Sequence, residues 1–449
     1  MELKEVQSVY FIGIGGIGMS ALARYFRYIG KPVAGYDRTP SPITDGLVEK
    51  GIEVHFKDNV DLIGEVYKQP GTLVVYTPAI PSSHKELAFF SNSGHTIKKR
   101  SEVLGIITRD SYCLAVAGTH GKTTTSCILA HLLKECGLPF TAFLGGISED
   151  FNSNFVLEGT DYSVVEADEF DRSFLQLTPT VACITSMDAD HLDIYGTKEA
   201  LENSFRDFAG RLRPGGKLFV RQGLPMEGIS YGLEVGADYR IGNIRVVGGS
   251  YEFDLYTPTQ QLQGVHFPKP GRHNLLNALA AFAMAEQTGC DPGELARALG
   301  SFKGVQRRFS YQIKEGDLVF IDDYAHHPTE IDAVHQAIRE MHPGQKIRAV
   351  FQPHLFSRTR DFVDGFARSL SQFDEVYLLD IYPAREESIP GVDAGWLLGK
   401  IDNPNKWLID KEELLSKATY WKTGVLVTIG AGDIGLEVPK LKKILAYVP

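Results

Sequence analysis

No apolar run in this sequence approaches the ~18 residues that a membrane-spanning helix needs. A helical membrane protein is therefore excluded as a reading. Cysteine is scarce: five in 449 residues, at positions 113, 127, 136, 183 and 290, with no Cys-x-x-Cys. The scatter argues against a disulfide framework, and several of the five lie in apolar runs. They read as reduced core residues of a cytoplasmic protein. An excess of positive charge is also missing. Lys and Arg number 46 against 56 Asp and Glu, a net charge of −10, which argues against a nucleic-acid partner. It does not exclude phosphate ligands, which local dipoles and single cations can hold. The start of the chain, Met1 to Glu5, is charged and runs straight into a strand, unlike a secretory signal. What is present is ordinary for a soluble globular protein, 43% hydrophobic and 23% charged. The length suits roughly two to four domains.

The most informative stretch is 114–126. Leu114 to Ala117 is an apolar run of strand length, broken at Gly118. The chain then passes Thr119, His120, Gly121 and Lys122 and enters a run with helical spacing, Ser126 to Leu133. A strand, a glycine turn and a helix start make an anion site, because free N–H groups and the helix dipole point the same way. Lys122 supplies a mobile positive charge, Thr123 a hydroxyl suited to Mg²⁺, and Thr124 follows. The pattern lacks the first glycine of a Walker A motif, since Val116 stands there. The alternative is a plain glycine turn with a surface lysine, but strand, turn, Gly-Lys-Thr and helix all agree on a phosphate loop.

A second glycine-rich turn lies near the start. Val9 to Ile12 is β-rich and leads into Gly13-Ile14-Gly15-Gly16-Ile17-Gly18, then a helical pattern over Met19 to Ile29. Val33 to Tyr36 is the next strand, and Asp37 lies 19 residues past Gly18. This is the dinucleotide-binding fingerprint: glycines admit a diphosphate to the backbone, and Asp37 could bond a ribose hydroxyl. Taken alone it suggests an NAD-dependent dehydrogenase, or a glycine turn without a ligand. Leu73 to Tyr76 is a strand that runs into Thr77-Pro78-Ala79-Ile80-Pro81, at the end of a strand where open α/β sheets bind ligands.

Acidic residues cluster at further strand ends. Tyr162 to Val165 leads into Glu166-Ala167-Asp168-Glu169-Phe170-Asp171, and Glu166 follows Lys122 by 44 residues. Carboxylates there suit a hard cation; the alternative is a solvated acidic turn. Val181 to Thr185 leads to Asp188, Asp190, His191 and Asp193, where His191 could be a metal ligand or a structural residue. A helix is expected over 198–212, a strand at Leu218 to Val220, and a small antiparallel element within 236–268. Gly271-Arg272-His273-Asn274 opens a helix, Leu275 to Gln287, with Asn274 placed to meet a nucleotide base. In the last third, Leu318 to Ile321, Ile347 to Phe351, Val376 to Leu379 and Val425 to Ile429 each end in a polar or glycine loop. Those loops carry Tyr324, His326 and His327, then His354 and Arg358, then Asp380 to Glu386, then Gly430 to Asp433. Pro328 fits the first position of a helix. His326 and His327 read better as hydrogen-bonding groups than as joint metal ligands, because adjacent side chains rarely point to one ion.

The expected architecture is α/β in three domains: a Rossmann-like domain at 1–106, a central P-loop ATPase domain with a mostly parallel sheet at 107–306, and a Rossmann-like domain at 307–449. Two phosphate-type loops do not suit hydride transfer, which has no use for Lys122, Thr123 and Glu166. They suit an ATP-using enzyme whose other substrate also carries a diphosphate, with the third domain bringing a further component. Ligation through an activated carboxylate follows. A P-loop regulatory protein remains the rival of a different class.

The motifs then resemble those of the Mur ligase family. The matching stretches are 13–20 (Gly-Ile-Gly-Gly-Ile-Gly-Met-Ser), 118–125 (Gly-Thr-His-Gly-Lys-Thr-Thr-Thr) and 166–169 (Glu-Ala-Asp-Glu), then 190–191 (Asp-His) and 271–274 (Gly-Arg-His-Asn). They continue through 307–309 (Arg-Arg-Phe), 322–330 (Asp-Asp-Tyr-Ala-His-His-Pro-Thr-Glu), 351–354 (Phe-Gln-Pro-His) and 357–360 (Ser-Arg-Thr-Arg). They span nearly the whole chain in family order. The first motif and the His-His-Pro-Thr-Glu motif are most similar to the member that joins L-alanine to UDP-N-acetylmuramate. A relative that reattaches recycled murein tripeptide shares much of the third domain, but its first glycine motif usually differs.

The resemblance implies a site. The UDP diphosphate would lie on Gly15, Gly16, Ile17 and Gly18, with Thr77, Pro78 and Ala79 near the sugar. ATP would lie on Gly118 to Thr124, its adenine near Asn274. Thr123 and Glu166 would hold one Mg²⁺ and His191 a second. Lys122 would neutralise the phosphates. The muramate carboxylate would take the γ-phosphoryl group, and the L-alanine amine would then displace phosphate. Arg358 would bind the alanine carboxylate, Tyr324, His326, His327 and His354 would line that side, and a histidine would accept the amine proton. Domain closure would exclude water. The enzyme would be cytoplasmic, a monomer or weak homodimer, in peptidoglycan precursor synthesis. Two positions depart from the family. Leu355 stands where relatives often have a basic residue, and Arg206 stands where several relatives carry a carbamylated lysine, so that modification is not expected.

Overall fold

The computed structural model describes residues 3–81, 83–188, 192–314, 316–384 and 386–446, with Leu192 and Asp193 described by their backbone alone. Three α/β sheets follow one another along the chain. The chain forms two compact units. One holds Met1–Gly242, Asp254–Val265 and Leu276–Lys303; the other holds Asn243–Phe253, His266–Leu275 and Gly304–Pro449.

The first sheet contains β1 (Ser8–Ile12), β2 (Val33–Tyr36), β3 (Glu53–His55), β4 (Thr72–Tyr76) and β5 (Thr96–Lys99). Its order is β3-β2-β1-β4-β5, and every pair is parallel. All five residues of β1 are buried, as expected of a central strand covered on both faces. The chain leaves β1 toward β2 on one side, while β4 lies on the other. The loops after β1 and β4 therefore flank the crevice where such sheets bind ligands.

The second sheet contains β6 (Tyr112–Ala117), β7 (Phe140–Ser148), β8 (Ser153–Leu157), β9 (Tyr162–Glu166), β10 (Val181–Ile184), β11 (Lys217–Arg221), β12 (Ile229–Gly232), β13 (Tyr239–Val247), β14 (Ser250–Tyr256) and β15 (Gln261–Phe267). Its order is β15-β14-β13-β12-β11-β10-β6-β9-β7-β8. The strand before the phosphate loop, β6, has parallel neighbours on both sides, β9 and β10. Val116 is level with Glu166, and Ala117 with Ile184. That register delivers the phosphate loop, the acidic turn and the loop after β10 to one rim.

The third sheet contains β16 (Ser310–Ile313), β17 (Leu318–Asp323), β18 (Ile347–Phe351), β19 (Glu375–Leu378), β20 (Lys406–Leu408) and β21 (Gly424–Ile429), in the order β16-β17-β21-β18-β19-β20. Only β16 runs antiparallel to its neighbour. Ile321, Phe351, Leu378 and Ile429 are buried beneath the helices Pro328–Met341 and Val363–Leu370. Burying each such side chain stabilises the fold by about 1.5–3 kcal/mol.

Some boundaries differ from the sequence reading. The helix after the phosphate loop spans Lys122–Glu135, so Lys122 and Thr123 belong to its first turn. The helix expected from Leu275 begins at Arg272 and ends at Glu286. Residues 236–268 hold β13, β14 and β15 at the sheet's edge.

Candidate functional site

Glycine shapes the phosphate loop. Gly118 and Gly121 have φ of +134° and +85°, in the left-handed half of conformational space that favours glycine. A Cβ on Gly118 would collide with Thr185 Oγ1, and one on Gly121 would lie 2.6 Å from Asn277 Oδ1. Side chains after β10 brace the loop. Ser186 Oγ accepts from His120 N at 2.7 Å and contacts Thr119 Oγ1 at 2.9 Å, and Asp188 N donates to Thr119 Oγ1 at 3.0 Å.

The four acids from the last residue of β9 onward each meet a different partner. Glu166 accepts from Thr123 Oγ1 at 2.9 Å. Glu169, with its side chain fully buried, takes Lys122 Nζ on both oxygens at 2.9 and 2.7 Å. Asp168 pairs with Arg100 at 3.3 Å, and Asp171 with Lys99 at 2.8 Å. Asp171 and Arg172 both have φ of +52°, so two successive left-handed residues bend this turn. Backbone strain of that kind costs of order 1–3 kcal/mol per residue and collects at functional sites. Burial alone would lower the Lys122 pKa, but Glu169, Asp168 and Glu166 together outweigh it and push it up. Lys122 is a cation at any working pH, and it also donates to Gly118 O at 2.6 Å.

The first glycine loop faces the same region of this unit. A cleft of about 280 Å³ is lined by Gly16, Ile17, Gly18, Thr77 to Ala79, Arg100 and Glu166, among others. Asp37 accepts from Gly15 N at 2.7 Å and from Arg38 N at 2.7 Å, so its carboxylate braces the loop itself. A Cβ on Gly18 would stand 2.9 Å from Arg100 Nη1. Asn154, buried in β8, donates to Ile17 O at 2.6 Å and ties this loop to the second sheet. Arg100, Asn154, Asn277 and Gly145 are residues that sequence reasoning missed. A Cβ on Gly145 would overlap the Glu166 carboxylate. Asn277 lies one helical turn beyond Asn274, on the helix whose start motif drew attention, and that spacing was the only available signal. Asn274 Nδ2 donates to Pro270 O at 2.6 Å. His191 lies outside the described residues.

The second unit gathers its own cluster. Tyr324, His326, His354 and Arg358 come together, joined by Tyr382. His326 and Tyr324 meet edge to face at 5.5 Å, His326 and His354 at 6.2 Å, and His354 stacks on Tyr382 at 5.8 Å. Arg358 Nη1 donates to His354 Nδ1 at 3.4 Å. His326 Nδ1 donates to Tyr324 O at 3.0 Å, which leaves Nε2 as the lone-pair nitrogen. Burial pushes the His326 pKa down to about 4, so its ring is neutral at pH 7. His327 turns the other way. It caps the helix Pro328–Met341, accepting from Thr329 N at 3.3 Å, and meets Phe362 at 4.8 Å. Asp323 accepts from Phe309 N and Ala325 N, both at 2.7 Å, and burial raises its pKa to about 6. Leu355 has φ +73° and is buried, and its N–H donates to Tyr382 O at 2.9 Å, so this position offers no charge to an anion.

Thr123 Oγ1 and the Glu166 carboxylate form a pair of hard oxygen donors with glycine alongside. Their chemistry fits Mg²⁺, which takes one or two carboxylates and completes its shell with water and phosphate. Among the described residues no three His, Cys, Asp or Glu side chains converge as a metal cage.

A phosphate loop paired with an acidic strand end, beside a second glycine loop in an adjoining parallel sheet, defines an ATP-dependent ligase architecture. The chain belongs to the Mur ligase family. The models "Mur ligase family, catalytic domain", "Mur ligase middle domain" and "Mur ligase, glutamate ligase domain" match residues 8–112, 116–285 and 307–432. Among relatives, the UDP-N-acetylmuramate–L-alanine ligase of Flavobacterium johnsoniae is 57% identical over 99% of both chains, and that of Parabacteroides distasonis 48% over 99% of this chain and 98% of its own. The UDP-N-acetylmuramate–alanine ligase MurC of Thermotoga maritima is similar in structure, with TM-score 0.83 and 26% identity over 97% and 98% of the two chains. A murein peptide ligase of Psychrobacter arcticus shares the fold at TM-score 0.71 and 22% identity, with 99% of each chain covered.

Proposed function

We infer that this enzyme ligates L-alanine to the carboxylate of UDP-N-acetylmuramate with ATP, a step of peptidoglycan precursor synthesis. The observation that carries the reading is the cleft shared by Gly16 to Gly18, Thr77 to Ala79 and Glu166, which puts a diphosphate-type loop beside the acidic partner of the phosphate loop. Relatives of 57% and 48% identity with that activity in their names support it.

In this reading the phosphates of ATP lie on Gly118 to Thr124, and Lys122 exchanges Glu169 for phosphate oxygens. Asn277 lies beside the loop for the nucleotide, with Asn274 one turn earlier. Thr123 and Glu166 would hold a Mg²⁺ ion, which when bound neutralises phosphate charge. Gly15 to Gly18 and Arg100 receive the UDP diphosphate. The muramate carboxylate attacks the γ-phosphorus, ADP leaves, and an acyl phosphate forms; positioning and fixed charge supply most of the rate. The alanine amine attacks the acyl carbon and phosphate departs. Arg358 holds the alanine carboxylate, Tyr324 and His354 frame it, and His326 Nε2 accepts a hydrogen bond from the amine. His327 supports this side by fixing its helix. Asp37 acts through the backbone of Gly15. The nucleotide substrates put the enzyme in the cytoplasm, and no helix among the described residues is long and apolar enough to cross a membrane.

The test is ADP release from Mg²⁺-ATP and UDP-N-acetylmuramate, with L-alanine, glycine, L-serine or murein tripeptide supplied in turn. Release that strongly favours L-alanine is expected. Release with the tripeptide alone would move the enzyme to the recycling branch of the family, and no release with any acceptor would overturn ligation.

A further inference from the structure

The residue before the helix Arg272–Glu286 is Gly271, which has no side chain with which to cap it. Its φ of +94° and its surroundings require glycine: a Cβ there would collide with the His273 ring and stand 3.2 Å from Ala337 Cβ. Inside this turn, Asn274 N donates to Gly271 O at 2.9 Å, and Asn274 Nδ2 donates to Pro270 O at 2.6 Å. The turn is also held from outside. Gly271 N donates to Tyr251 Oη at 3.1 Å, and Tyr251, fully buried in β14, donates its hydroxyl proton to Glu340 Oε2 at 2.5 Å. Burial and the bond to Glu340 push the Tyr251 pKa up, so the hydroxyl keeps that proton. Glu340 also faces Arg272 Nε at 3.6 Å. All of these residues belong to the second unit. Glu340 gains nothing from its own helix. It stands in the last turn of Pro328–Met341, where the negative end of the helix dipole disfavours a carboxylate.

We propose that Tyr251 and Glu340 are positioning residues for the nucleotide: Glu340 orients the Tyr251 hydroxyl, and that hydroxyl holds Gly271 so that the first turn of the helix presents Asn274 to the base of ATP. The proposal rests on the reading of Asn274 as a contact of the base. Neither positioning residue touches ATP, and both act through the Gly271 N–H. The relay is saturated. The phenol has one proton and gives it to Glu340, and its oxygen takes the one N–H that the turn offers from Gly271. Deleting the hydroxyl strands a buried N–H, which must then move to find another partner. Deleting the Glu340 carboxylate frees the phenol to rotate its proton elsewhere. In both cases the turn bearing Asn274 shifts, and a displacement of an ångström at a binding contact is enough to weaken it. Further along the helix, Asn277 lies close against Gly121 of the phosphate loop. The helix is anchored there as well, so the shift is confined to its first turn.

The test uses the full-length protein and calorimetric binding of Mg²⁺-ATP, which needs no turnover. Tyr251→Phe and Glu340→Ala should each raise the Kd for ATP about tenfold. Glu340→Gln keeps an acceptor oxygen for the phenol and should return the Kd to within about twofold of the wild type. A role in stability alone would lower the urea midpoint of these variants and leave the Kd of the folded protein unchanged, and that result would overturn the proposal. Should Tyr251→Phe fail to fold, the pair Glu340→Ala and Glu340→Gln, at a partly exposed side chain, carries the same comparison. Asn274→Ala separates the two layers of the argument. It should weaken ATP binding, and Tyr251→Phe added to it should weaken binding no further, because Tyr251 acts through that turn. Full additivity would overturn the proposal. Weak binding by Asn274→Ala beside wild-type binding by Tyr251→Phe and Glu340→Ala would overturn the proposal alone. Wild-type binding by Asn274→Ala would overturn the nucleotide reading of this turn and the proposal with it.

Discussion

Replacing Glu169 with Gln removes the buried partner of Lys122 while keeping its shape. At 2.7–2.9 Å and an effective dielectric constant of about 20, the pair attracts by about 6 kcal/mol before desolvation is counted. Deleting one partner of a buried ion pair costs about 3–5 kcal/mol. Lys122 keeps its bond to Gly118 O and the nearby charges of Asp168 and Glu166, so we expect the low end, about 3 kcal/mol, from urea unfolding without nucleotide. Nucleotide reverses part of that loss. If ATP phosphates take over Lys122, the bound state misses Glu169 less than the free state does. Recovery of about half the loss corresponds to roughly tenfold tighter ATP binding by calorimetry. Glu169→Gln with unchanged stability would refute the energetic role of the pair. Weaker ATP binding would show that Glu169 acts in the bound state and is not displaced.

Further expectations follow from single contacts. Gly145→Ala should lower turnover by at least about tenfold, because the three atoms nearest the new methyl group all belong to the Glu166 carboxylate; wild-type turnover would refute the assigned contact. Arg358→Ala should raise KM for the amino acid by about 2–3 kcal/mol of lost charged hydrogen bonding while KM for ATP stays put, and an unchanged amino-acid KM would remove its role. The His326 ring should titrate near pH 4 by NMR. Its folded pKa lies below the ordinary value, so its contribution to stability is full above pH 6.5 and is lost as pH falls through 4; a midpoint near 6.5 would refute its burial. Chelating divalent cations should weaken ATP binding by an order of magnitude or more, and equal affinity with and without Mg²⁺ would contradict a cation at Thr123 and Glu166.

The sequence made the loops legible because each is local. An apolar run that stops at glycine or an acid marks a strand and its functional end, and β6 with Gly118 to Thr123, or β1 with Gly13 to Gly18, needs nothing from elsewhere in the chain. The partners of those loops were not legible. Arg100, Asn154 and Gly145 each meet their targets across tens of residues or more, and none stands in a periodic or motif context. The acidic turn shows the same limit within six residues. Its composition announced charge, but not which carboxylate faces Thr123, Lys122, Arg100 or Lys99. His326 and His327 were indistinguishable as adjacent letters. The helix start separates them, because a capping residue turns its side chain onto the helix's own N–H groups, while the residue before it turns toward His354 and Tyr324.

That turn also explains how a chain of net charge −10 builds a phosphate site. Among the described residues, three cations stand around the loop, Lys99, Arg100 and Lys122, with four acids, Glu166, Asp168, Glu169 and Asp171. Every cation is already matched, so the loop without nucleotide is neither a bare positive hole nor strained by like charges. Such a site attracts polyphosphate poorly by its own field, and the loop N–H groups and helix dipole alone supply a modest pull. Binding must therefore bring a further positive charge or release one held within. In the proposed reading Thr123 and Glu166 would provide the place for the first, and Lys122 with Glu169 the means of the second. On that reading a ligand lacking either the bound cation or phosphates long enough to reach Lys122 would gain only half of this, and the pairing that stabilises the free protein would also select for the metal-bound triphosphate.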